Sequence, residues 1–187
     1  TTGGFPARPG PYPGTLAAAA TAYTDRHFAG DRGESLFAPL RERGVQLLAA
    51  NMAHEAVAER MGMLARAFDM RAVGFPRRAD VFDLDGVRVG CMAGEWLRSF
   101  AAARCLALDG AELLICFDAA DVPMLRTRAL ENRVFVIGVA AETSVIIGPD
   151  GSVLSTGTAD VPAIATADIA EASDKQVAPR PDNFAQR

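Results

Sequence analysis

The stretch VRVGCMAGEWLRSF, residues 87–100, places a thiol, Cys91, and an acid, Glu95, on either side of Gly94. An apolar run that halts at a glycine and turns into a helix is where many hydrolases expose a nucleophile. A thiol suits that work when its neighbours lower its pKa, because the thiolate attacks an acyl carbon near neutral pH. An acid directly after a strand end, Glu95, can bind a substrate amine or pair with a cation. It can equally start the helix, where the dipole favours a carboxylate. The cations within the same reach of sequence are Arg77 and Arg78, in RAVGFPRRADVF. They supply positive charge to a site, or stand solvated in a turn.

Other reactive side chains are less well placed. Cys105 and Cys116 share apolar surroundings with Cys91, and none has CxxC or His-rich spacing. That pattern favours buried thiols in a reducing compartment over disulfides or a zinc site, so the expected location is the cytoplasm, with no metal and no cofactor. His27 and His54 have no Ser, Asp or Cys at catalytic spacing, and Lys175 stands in a polar tail. GPDG, residues 148–151, lies between two strand patterns and reads as a hairpin turn rather than a phosphate cradle.

These residues need elements to hold them. TTGGFPARPGPYPG reads as a loop, and the alanines of TLAAAATAYTDRHF suggest a short helix. GESLFAPLRERG places Leu36, Phe37 and Leu40 on one helical face and stops at Gly44, and VQLLAAN follows as a strand. GMLARAFD and RAVGFP are weaker strand patterns, and DVFDLDGVRVGCMA is a hairpin turning at Asp85-Gly86. From Trp96 the period changes to helical, with Leu97, Ala101, Cys105 and Leu108 on one stripe that ends at Gly110. Then come a strand (ELLICF), a helix (VPMLRTRALEN), a strand (RVFVIGVAAE), a hairpin on Asp150-Gly151 and a short strand (ATADIA). Alternating strands and helices closed by hairpins predict an α/β sandwich with a mixed sheet. No repeat or linker divides residues 1–187, and the chain turns polar from about residue 173.

Composition narrows the function. Half of the 187 residues are hydrophobic, enough for a substantial core. Nineteen basic and 23 acidic residues, scattered without single-sign runs, give a net charge of −4. This argues against nucleic acid or an anionic membrane surface as partner. No apolar run reaches the roughly 18 residues needed to span a bilayer.

From Val87 onward, four segments in order resemble the nitrilase superfamily, the carbon–nitrogen hydrolases. VRVGCMAGEWLRSFAAARCLALDGAELLI is similar to that family's nucleophile strand, turn and helix, and RALENRVFVIGV to its Arg-Ala-x-Glu-Asn helix end and core strand. SVIIGPDGSVLSTG resembles its Pro-x-Gly hairpin, and ADIA its last acidic strand. The resemblance implies an αββα sandwich with a mixed sheet. It also implies that the first strand, first helix and catalytic glutamate of a typical member lie upstream of Thr1.

It implies a Glu-Lys-Cys mechanism as well, in which cysteine attacks an amide or nitrile carbon, glutamate moves the proton and lysine stabilises the developing charge. Counting back from Gly110-Ala111, the cysteine position falls on Gly94, which has no side chain to attack with. Cys91 stands three residues earlier within the strand, where alternation turns it to the opposite face. The family's lysine segment carries Arg77 and Arg78 instead. Members usually pair through their helical faces, so the resemblance implies a homo-oligomer or a subunit of a larger assembly.

Three functional readings follow. The first is a nitrilase-like domain without hydrolysis, acting as a structural, regulatory or ligand-binding subunit, with Glu95, Arg77 and Arg78 as substrate-binding candidates. The second is an active amidase or nitrilase that cleaves a non-peptide C–N bond of a small amide or nitrile, through a displaced Cys91 or a site completed by residues this chain lacks. The third is a generic α/β binding domain.

Overall fold

The computed structural model describes residues 15–21, 32–50, 55–73, 80–84 and 86–169. Within these residues the chain runs β1 (Thr15–Thr21), α1 (Arg32–Glu42), β2 (Leu47–Ala50), α2 (Glu55–Ala67), β3 (Arg71–Val73), β4 (Asp80–Leu84) and β5 (Val87–Ala93). A 3₁₀ turn (Gly94–Arg98) leads into α3 (Phe100–Leu108), β6 (Leu113–Phe117), α4 (Val122–Asn132) and β7 (Phe135–Val139). Strands β8 (Thr143–Ile147), β9 (Val153–Thr158) and β10 (Ala163–Asp168) close the order.

Two mixed sheets form. One has the order β10-β1-β2-β3, and the other β4-β5-β6-β7-β8-β9. In the second sheet β5, β6 and β7 run parallel, while β4, β8 and β9 are antiparallel to their neighbours. All five residues of β6 (LLICF) are buried, as befits a central parallel strand covered on both faces.

Alternation along the strands divides the apolar residues among three layers. Val89, Cys91, Ile115, Phe117 and Ile137 meet Ala18, Ala20 and Leu47 between the sheets. Met92, Leu114, Cys116, Val136 and Ile147 pack outward against residues of α3 and α4. Phe37, Leu40, Met61 and Ala65 cover the far side of the first sheet from α1 and α2. The result is the expected αββα sandwich with a mixed sheet. Contact across the outer layer is tight: a Cβ at Gly138 on β7 would collide with the Leu125 side chain of α4, so glycine there lets the helix sit close.

Three local expectations are corrected. Residues 15–21 form strand β1 rather than a helix, paired antiparallel to β10 and parallel to β2. Ala17–Ala20 are buried there, and tertiary pairing outweighs the modest helix preference of alanine. Residues 62–67 belong to helix α2, not to a strand, with Met61 and Ala65 buried one turn apart. The predicted stripe on α3 is out of phase, because Ala101 and Cys105 are exposed while Ala103, Leu106 and Ala107 are buried. The 3₁₀ turn and the extended Ser99 interrupt the helix, so a phase carried from Trp96 at 3.6 residues per turn arrives on the wrong face. The turns at Gly44, Gly86 and Gly151 fall where expected, each with positive φ.

Candidate functional site

The candidate site is built where β5 and β6 end side by side. β5 pairs with β6 up to Ala93 opposite Phe117, so Gly94 and Asp118 leave the sheet as neighbours. Gly94 opens the 3₁₀ turn, while Asp118 takes the left-handed conformation with φ 56°. A Cβ placed on Gly94 would collide with the Asp118 carbonyl oxygen, and would stand 2.7 Å from that carbonyl carbon and 2.9 Å from the Phe117 carbonyl oxygen. All three are backbone atoms at a strand end, which cannot swing aside as a flexible side chain would. Glycine is required here by close approach of two strands.

Within the turn, Glu95 is exposed, Trp96 is half-buried against the outer apolar layer and Leu97 is buried. Cys91 is 4 % exposed and lies in the layer between the sheets, with Val89, Ile115 and Phe117. Met92, the next residue, faces the helices. Cys116 stands opposite Met92 in register and is likewise on the helix side, so the two buried thiols lie on opposite faces of the sheet. Burial pushes the Cys116 thiol up to about 12, Cys91 adding to the shift and the Arg128 charge opposing it. Cys105, expected in the core, is exposed on α3. None of the three forms a disulfide.

Arg77 and Arg78 lie outside the described residues, as do His27, His54 and Lys175. Among the described residues no three of His, Cys, Asp and Glu converge in a way that would hold a metal ion.

Two residues not singled out as functional in the sequence shape this site. One is Asp118, whose carbonyl fills the space beside Gly94. The other is Arg128 on α4, which is 5 % exposed and donates from Nε to the Leu97 carbonyl at 2.8 Å. Its signal was present in RALEN, where an arginine falls on the same helical face as Leu125, Ala129 and Asn132. A cation on a buried stripe needs fixed acceptors.

The comparisons with known proteins agree with this architecture. A model of the carbon-nitrogen hydrolase family matches residues 35–178, and the chain belongs to that family. A search of the curated proteins returns no match. Among solved structures, Saccharomyces cerevisiae Nit3, a member of branch 10 of the nitrilase superfamily, is similar with a TM-score of 0.70 at 13 % identity, covering 90 % of this chain and 96 % of that one. An amidase from Nesterenkonia sp. is similar with a TM-score of 0.65 at 16 % identity, covering 86 % of this chain and 93 % of that one. A mutant of the Nesterenkonia sp. AN1 amidase in complex with butyramide is similar with a TM-score of 0.67 at 16 % identity, covering 89 % and 97 %. At these identities the likeness establishes the fold.

Proposed function

We propose that this chain is a carbon–nitrogen hydrolase-like domain that has lost hydrolysis and serves as a structural, regulatory or ligand-binding subunit. One observation supports the reading: at Gly94, where the resemblance puts the family's nucleophile, backbone carbonyls of Phe117 and Asp118 at the end of β6 take the space a side chain would need. The nearest thiol along the chain, Cys91, is enclosed between the sheets, where it serves as a small apolar residue. Glu95, exposed at the strand ends, is the group in this reading that meets a small-molecule ligand.

Full-length protein mixed with amide, nitrile and ester substrates is expected to give neither a burst nor turnover above background. Native iodoacetamide treatment followed by peptide mass mapping should leave Cys91 unmodified. Rapid Cys91 labelling that substrate suppresses, with turnover lost in Cys91→Ala, would establish the active amidase or nitrilase instead.

The same reading includes self-association through the outer face of α3 and α4. Phe100, Leu108 and Leu130 are exposed there, at 70, 38 and 49 %. Exposed large apolar residues on the outer helices are where contact with a second copy would form. Sedimentation equilibrium is expected to give at least a dimer for the parent, and Leu130→Arg should raise its dissociation constant by tenfold or more, as a desolvated charge at an interface would. A parent that sediments as a monomer at micromolar concentration would remove this part of the proposal.

A further inference from the structure

The turn that carries Glu95 and Trp96 has weak local support. Five residues of 3₁₀ helix have poorer hydrogen-bond geometry than α-helix. Neither Ala93 before the turn nor Ser99 before α3 supplies a side-chain cap. Its last two carbonyls, of Leu97 and Arg98, are instead met from α4, by Arg128 Nε at 2.8 Å and Arg128 Nη2 at 3.4 Å. The guanidinium is itself fixed: Nη1 donates to Glu131 Oε1 at 2.7 Å, and Nη2 also approaches Met124 Sδ at 3.4 Å. Arg104 of α3 completes the ring, donating to the Glu131 carbonyl at 3.3 Å and to Asn132 Oδ1 at 3.4 Å.

We propose that Arg128 is a positioning residue: from α4 it holds the Gly94–Arg98 turn, and thereby the Glu95 carboxylate and Trp96, in one orientation at the strand ends. The turn's geometry is therefore set by a residue some thirty positions later in the chain, through a planar donor group whose fork spans two successive carbonyls. The arrangement ties the turn to α4 through Arg128, and α3 to the end of α4 through Arg104. This inference is independent of whether the chain hydrolyses anything.

Trp96 is the single tryptophan of the chain and reports on the turn directly. In Arg128→Met, acrylamide quenching of its fluorescence is expected to rise about twofold as the turn opens locally, with far-UV circular dichroism unchanged. Arg128→Lys, whose ammonium reaches one carbonyl at a time, should fall between the two. A merely structural arginine would lower the thermal midpoint without this graded change at Trp96. Parent-like quenching in folded Arg128→Met overturns the proposal. Should that variant fail to fold, Glu131→Leu decides, because it removes the 2.7 Å acceptor from a partly exposed position. Increased quenching in Glu131→Leu supports the latch, and parent-like quenching overturns it.

Discussion

Replacing Gly94 with cysteine is expected to destabilise the protein by about 3 kcal/mol, the upper range for overpacking a tight site, and to leave amide hydrolysis at background. The cost arises before the thiol is reached. A Cβ alone meets the Asp118 and Phe117 carbonyls, and those atoms are held by the sheet: Ala119 N–H donates to the Val139 carbonyl at 3.2 Å, anchoring the chain directly after Asp118. Moving the β6 end outward would break that bond and disturb a left-handed residue already in its least common allowed region. Gly94→Ala should therefore carry most of the penalty of Gly94→Cys. For a chain of this size that corresponds to a fall of roughly 6–12 °C in thermal midpoint. Calorimetry of both variants checks it. A Gly94→Ala protein as stable as the parent would mean that β6 gives way easily, and that a nucleophile can be restored by one substitution.

How much of this was legible in the sequence follows the range of the interactions involved. The strand pattern of LLICF and VFVIGV, the turns at Gly86 and Gly151, and the helix over VPMLRTRALEN depend on local periodicity and turn chemistry, and each is where the residues predict it. The assignment of the family's nucleophile position to Gly94, which we propose, uses only the step to Gly110-Ala111 along the sequence. The crowding around Gly94 was not legible there. Gly94 and Asp118 are 24 positions apart, and only the β5–β6 register brings one carbonyl against the other.

The misread elements share a cause. The alanines of β1 carry a helical preference of a few tenths of a kcal/mol each, while their burial between β10 and β2 depends on strands that come much later. On α3 the apolar stripe was traced through a 3₁₀ segment, so Cys105 was assigned inward and is exposed. Arg128 falls on the apolar stripe of its helix in the sequence, but its acceptors, the Leu97 and Arg98 carbonyls, become evident only in the fold. In each case local pattern predicts the type of element, and a long-range contact decides which face is turned where.

Among the described residues the largest pH effect is expected from Cys116, and it runs downward with pH. The thiol is fully buried in the folded protein and its pKa is raised from 9.0 to about 12, chiefly by desolvation. Between those values the unfolded chain has released the proton and the folded chain has kept it. The unfolded state then binds fewer protons, so stability falls as pH rises, by a limiting slope of about 1.4 kcal/mol per pH unit. Below the unfolded pKa the thiol is neutral in both states and the effect vanishes. Cys116→Ala removes the titrating group and adds a small, pH-independent cavity cost of about 1 kcal/mol. Urea unfolding at about pH 8 and about pH 10 should show the parent losing about 1 kcal/mol more than the variant over that interval. Parallel loss in both proteins would place Cys116 in a wetter site than the fold provides. The same burial bears on function, because a thiol held at about 12 carries almost no thiolate at neutral pH. Cys116 is therefore a poor nucleophile at neutral pH, although it stands one strand away from Gly94, opposite Met92 in register.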